Sequence, residues 1–149
     1  MATIEIRTLA NLPFHFSGRY PKPALVGHCT PDGVSSFSSR EFFEKIRDFS
    51  LGLTGINVDS GDRVALLCET RPEWVVADLA ALAAGSITVP IYPTLPADRI
   101  RYILADAGVS TVIVSNQEQA QKVHSILSQL SELQRMIVID ADNTEVGSA

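Results

Sequence analysis

The residues best placed for chemistry are Cys68, Glu69, Thr70 and Arg71. They follow the apolar run Val64-Ala65-Leu66-Leu67 and lead into Pro72-Glu73-Trp74. A strand that turns into a helix in this way has the outline of a nucleotide-binding turn, where helix-start amides hold a phosphate. The residue types argue against that use. A dinucleotide turn needs G-x-G-x-x-G so that backbone can approach the pyrophosphate, and Cys68 to Pro72 contains no glycine. Glu69 stands where a phosphate would sit, Pro72 removes an amide, and no G-x-x-x-x-G-K-[ST] occurs anywhere. Thr70 is instead expected to cap the helix, with Glu73 completing T-x-x-E and Pro72 in the first turn.

Other chemistries fail on the same positions. A phospho-receiver needs acids after its first strand and an aspartate after its third; here the third place holds Ser115-Asn116. A flavodoxin would want a Ser/Thr/Gly loop where ETRPEW stands. Cys68 at a strand end has the position of a nucleophile, but the neighbouring Glu69 works against a thiolate and no histidine is near in sequence. Cys29 and Cys68 form no CxxC pair, and no histidine lies at metal-ligand spacing from either. His15, His28 and His124 are scattered. No catalytic, cofactor-binding or metal-ligating residue is therefore assigned.

The 149 residues suit one domain with a sizeable core, and 46% hydrophobic content makes burial sufficient for folding. A net charge of −5 argues against a nucleic-acid or anionic-membrane partner for the chain as a whole, while leaving room for a local basic patch. The start MATIEIRTLANL lacks the pattern of a signal peptide. The longest apolar stretch, Trp74 to Ala84, contains Asp78 and is too short to span a bilayer. A reducing cytoplasm is the expected location.

The elements that must position these residues fall into two parts. In residues 1–60, a short helix is expected near Ala10 to Arg19. A small hairpin follows around Thr30-Pro31-Asp32-Gly33, because proline presets φ and glycine permits a positive one. Ser38 and Glu41 read as a capping box, and Phe37 and Phe42 as a hydrophobic staple across it. Phe42, Ile46, Phe49 and Leu53 then recur at helical spacing, with Gly52 or Gly55 expected to end the helix.

Residues 61–140 alternate regularly. Strands are expected at Arg63 to Leu67, Ser86 to Ile91, Thr111 to Val114 and Met136 to Ile139. Helices are expected at Pro72 to Ala84, Ala97 to Ala107 and Gln117 to Leu130, the last with Ser115 and Glu118 as its capping box. Continuous apolar strands joined by helices predict a parallel sheet covered on both faces, with right-handed crossovers. The fold class is thus α/β, a parallel-stranded doubly wound sheet with a small N-terminal hairpin and a tail at 141–149. The helix from Pro72 to Ala84 is apolar nearly all round, so it must be covered on more than one side. The N-terminal segment, a second copy, or further chain could cover it.

At this point the residues carry a resemblance. Gly61-Asp62-Arg63-Val64-Ala65-Leu66-Leu67, then Arg71-Pro72-Glu73-Trp74, then Ala84-Gly85-Ser86-Ile87-Thr88-Val89-Pro90-Ile91-Tyr92-Pro93-Thr94 resemble the N-terminal region of AMP-forming acyl-CoA synthetases. These belong to the adenylate-forming superfamily. The likeness runs from about Phe37 to Asp140, and VPIYPT and YILADAG are most similar to the long-chain fatty acid branch. Thr70 stands where that family often has Asn, and Pro96 where a second Ser/Thr cap is common.

The resemblance implies a parent that converts a fatty acid and ATP into an acyl-adenylate and then a coenzyme A thioester. ATP, Mg and coenzyme A are cofactors implied for the parent and none is implied for this stretch. The family's phosphate loop T-S-G-T-T-G-x-P-K-G and its Y-G-x-T-E segment do not occur here. The chain is accordingly read as an N-terminal structural piece, not catalytic by itself. Its expected partners are the remainder of the parent chain, a second copy of itself, and a membrane surface for the parent; nucleic acid is not expected. The alternative is a free-standing doubly wound binding or interaction module.

Overall fold

The computed structural model describes residues 6–31 and 33–141. Asp32 of the Pro-Asp-Gly turn and nearly all of the expected tail lie outside the described residues. The described residues divide into two compact units. One holds the chain up to Asp62 together with Thr70–Thr88, and the other holds Arg63–Glu69 together with the chain from Val89.

The first unit begins with a 3-10 turn, Leu9–Asn11, running into α1 (Leu12–Arg19). An antiparallel hairpin follows, β1 (Val26–Thr30) with β2 (Gly33–Phe37), in register Val26 to Phe37. Gly33 has φ +134, the positive value that the turn chemistry anticipated. Helix α2 (Ser39–Gly55) starts with the expected capping box. The Glu41 amide donates to Ser38 Oγ at 3.2 Å, and the Ser38 amide donates to Glu41 Oε2 at 2.8 Å. Phe37 packs against the apolar cluster that contains Phe42, consistent with the staple.

The end of α2 differs from expectation. Neither Gly52 nor Gly55 takes a positive φ; Asn57 does, at 60°. The Asn57 amide donates to Thr54 O at 3.0 Å, and the Val58 amide to Leu53 O at 3.0 Å. That pair of bonds is a Schellman motif, with Asn in the left-handed position. Leu53 and Val58, both buried, flank it.

Helix α3 (Pro72–Ala83) belongs to the first unit. Its Val76 and Ala80 join Phe42 and Ile46 in one buried cluster, and Leu25, Val26 and Phe37 pack around it. The N-terminal segment therefore supplies cover for this nearly all-apolar helix. Ala77 and Ala81, on the neighbouring stripe, are buried as well. The cap differs from expectation: extended Arg71 is the N-cap and makes no side-chain capping bond. Thr70 lies one residue outside.

The second unit carries the sheet. β3 (Arg63–Leu67), β4 (Ile87–Ile91), β5 (Thr111–Val114) and β6 (Arg135–Val138) stand in the order β4-β3-β5-β6. β3 pairs parallel with β5, and β5 parallel with β6. Val64 to Leu67 of β3 and all of β5 are buried, whereas the edge strands are only partly so. The expected α/β parallel class is the one found.

Helix α4 (Ala97–Asp106) ends at Gly108, φ +61, in another Schellman motif; the Val109 amide reaches Leu104 O at 3.0 Å. Its Ile100 and Leu104 share a core with Ala65, Leu67, Val112 and Val114. Helix α5 (Gln117–His124) is shorter than expected. After it come a separate 3-10 turn, Leu127–Gln129, and then β6. Its cap is Asn116, whose Oδ1 accepts from the Gln119 amide at 3.1 Å. Ser115, the expected cap, is fully buried at the end of β5, and its amide donates to Leu67 O at 3.1 Å.

Candidate functional site

Ligands of open parallel sheets bind beyond the C-terminal ends of the strands, where loops and helix starts converge. In the second unit this rim consists of Cys68 after β3, Tyr92-Pro93-Thr94 after β4, and Ser115-Asn116 after β5. Cys68 is buried, and its Sγ donates to the Glu69 carbonyl at 3.3 Å. A buried sulfur is out of reach of a substrate, so Cys68 is not placed as a nucleophile. Lys122 of α5 donates to Pro93 O at 2.9 Å and pairs with Glu118 at 3.3 Å. It ties the loop after β4 to α5 and so has a structural use for its charge.

Two polar side chains near the rim stay unpaired with protein. Ser115 Oγ and Gln119 Oε1 are buried without a hydrogen-bond partner among the described residues. Buried hydroxyls and amides usually find protein or an ordered water.

The helix starts bear on the phosphate question. The first turns of α3, α4 and α5 contain Glu73, Asp98 and Glu118. A carboxylate there complements the positive end of the helix dipole and opposes a second anion. In α3, Arg71 Nε donates to Glu73 Oε2 at 2.7 Å, so the cation that could meet a phosphate is already paired. Partial burial acts to raise the Glu73 carboxyl. The Arg71 hydrogen bond and charge, a backbone N–H and the nearby positive potential of His28 outweigh it and hold Glu73 below the ordinary carboxylate range.

The three histidines are not brought together. His28, in β1, has a buried Nδ1 without a partner among the described residues. His15 lies among aromatic rings, 5.9 Å from both Phe16 and Tyr20 between ring centroids. His124 lines an apolar groove of about 320 Å³ with Val123, Leu127, Leu130 and Met136. No group of three or more His, Cys, Asp or Glu that could hold a metal exists among the described residues. The carboxylates in the first turns of α3, α4 and α5 were readable as Asp or Glu two places into each of these helices, but of these three the sequence reading used only Glu73 and Glu118, as capping partners. No helix among the described residues is long and apolar enough to cross a membrane.

The described residues form a parallel α/β scaffold with carboxylates at the starts of α3, α4 and α5. Comparison with known proteins says which scaffold. Residues 15–149 match the AMP-binding enzyme family, and the chain belongs to that family. The long-chain-fatty-acid–CoA ligase FadD15 of Mycobacterium bovis is 34% identical over 109 residues, covering 72% of this chain and 18% of the relative. The crystal structure of the anthranilate CoA ligase AuaEII with anthranoyl-AMP superposes with a TM-score of 0.75 at 25% identity, covering 93% of this chain and 26% of that one. The chain thus matches the N-terminal part of fatty-acid CoA ligases and spans about a fifth of the length of those long relatives. A shorter relative, the uncharacterized protein Rv1549 of Mycobacterium tuberculosis, is 33% identical over 95 residues, 64% of this chain and 54% of that one.

Proposed function

We propose that this chain is the N-terminal structural portion of a ligase that activates a fatty acid with ATP as an acyl-adenylate and transfers it to coenzyme A. The portion itself contributes scaffold, not catalysis. One observation carries the reading: the family match runs over residues 15–149 while the chain spans about a fifth of its long relatives. The carboxylates at the starts of α3, α4 and α5 agree with it, because phosphate chemistry must then be supplied by residues outside this stretch. ATP, Mg and coenzyme A are cofactors of the parent, the remainder of the parent chain is the partner, and the cytoplasm is the proposed location. The test is pyrophosphate release by the 149-residue chain with mixed fatty acids and ATP. No turnover is expected, and turnover by the pure chain overturns the scaffold reading.

The second reading is a free-standing α/β binding or interaction module. The shorter relative favours it, since this chain covers over half of that protein. An immunoblot of the native protein separates the two. A product the size of the long-chain ligases supports the first reading, and a product the size of this chain supports the second.

A further inference from the structure

A concavity lies at the other end of the sheet from the rim described above. Strand β6 runs parallel to β5, so α5 starts at the rim and its far end leads to the start of β6. There Leu127, Leu130, Leu133 and Met136 line the groove of about 320 Å³. All of them belong to the second unit. Leu130 is buried in the core of that unit, and Leu133 and Met136 pack against it, so the floor of the groove is fixed. Leu127 is 43% exposed and leaves the floor open from outside.

The wall carries a positive charge and no negative one. Arg135 belongs to it, and no Asp or Glu does. Arg135 is half-buried and, among the described residues, makes no ion pair. The nearest acid in sequence, Glu132, is exposed and does not pair with it. By contrast Lys122 of α5 is held by Glu118 and by Pro93 O. Gln134 and His124, on the same wall, add side-chain N–H donors.

An apolar concavity with a few polar groups on its wall is the usual form of a small-molecule site, and this volume falls at the lower end of the range for such sites. The leucine and methionine floor favours a hydrocarbon tail. A half-buried guanidinium without a counter-ion favours an anionic head. We propose that the groove between α5 and β6 binds a medium-length amphiphilic anion, an apolar chain ending in one acidic group, with Arg135 at its head. Charge complementarity selects this occupant over an uncharged apolar one, and over a second copy, whose matching groove would be positive too. The proposal rests on the second unit alone and on a site away from the rim, so it and the ligase reading fail separately.

The test is calorimetric titration of the whole 149-residue chain, without ATP, with decanoate below its micelle concentration. Decanol and acetate supply the tail and the charge separately. Decanoate is expected to bind and to shift the amide resonances from Leu127 to Met136, with decanol and acetate each weaker by about tenfold or more. Arg135→Ala weakens decanoate binding by about tenfold and leaves decanol unaffected, as loss of one charge-assisted hydrogen bond does. Leu127→Ser, at an exposed side chain, weakens decanoate and decanol alike by about fivefold. Circular dichroism verifies the fold of both variants. Arg99→Ala, in α4, leaves binding unchanged. Absence of decanoate binding, decanol binding as tightly as decanoate, or Arg135→Ala binding as tightly as the unchanged chain overturns the proposal. So does decanoate binding that disappears as the protein is concentrated and self-associates, which makes a second copy the occupant.

Discussion

Ser60 and Gly85 are locked together where α3 hands the chain to β4. Ser60 Oγ donates to Gly85 O at 3.4 Å, and the Gly61 amide donates to the same carbonyl at 2.9 Å. Gly85 has φ +84, and a Cβ there would lie 2.7 Å from Ser60 Oγ. Gly108 has φ +61 but open space around the same position. Gly85→Ala therefore combines backbone strain with a clash, and Gly108→Ala has the strain alone. Expected losses are about 2–3 kcal/mol and about 1 kcal/mol respectively in denaturant melts. In the Gly85→Ala background, Ser60→Gly should recover the difference; equal costs at the two glycines would show that Ser60 yields freely.

Asn57 holds the same left-handed role after α2, with φ 60°. Asn57→Gly should be neutral or stabilising by a few tenths of a kcal/mol, and Asn57→Val should cost about 1–2 kcal/mol. Urea midpoints check this, and equal midpoints for Gly and Val would contradict the Schellman assignment.

Capping energies should follow backbone geometry. Asn116→Ala removes the bond to the Gln119 amide and should cost about 1 kcal/mol. Thr70→Ala touches an exposed side chain outside the α3 cap, so its effect should stay within about 0.5 kcal/mol. A large loss at Thr70 with none at Asn116 would reverse both assignments.

The Arg71–Glu73 pair predicts an acid limb. A carboxyl held below its ordinary range when folded stabilises the protein above that range, and the contribution is lost as pH falls through the folded value. Thermal melts of Glu73→Gln should therefore show a shallower decline on acidification than the parent chain, with the difference confined to acidic pH. An unchanged acid limb would place the coupling elsewhere.

Self-association is expected at one sheet edge. β4 is an edge strand carrying Pro90, which cannot donate to a pairing strand. β6, at the other edge, contains no proline. The amides of Arg135 and Ile139 point toward β5, donating to Ser110 O and Val114 O. By alternation the Met136 amide points outward. Sedimentation across a concentration series should show reversible association, and Met136→Pro should suppress it without removing a bond of the sheet. Association that persists in Met136→Pro would exclude the β6 edge.

Much of the fold was legible in local pattern. The apolar runs of β3 and β5 and the capping box at Ser38 and Glu41 act over a few residues, so the sequence by itself determined the order of strands and helices along the chain and their parallel class. The caps at Arg71 and Asn116 were each misplaced by one residue. A cap belongs to whichever residue leaves its strand with extended dihedrals, and sheet pairing sets that point: Ser115 remains bound to β3 through Leu67 O, so α5 cannot start until Asn116. The early end of α5, the order β4-β3-β5-β6 and the cover over α3 were likewise decided by tertiary structure. Each depends on which distant surfaces meet, and residue spacing along one segment carries no information about its partner.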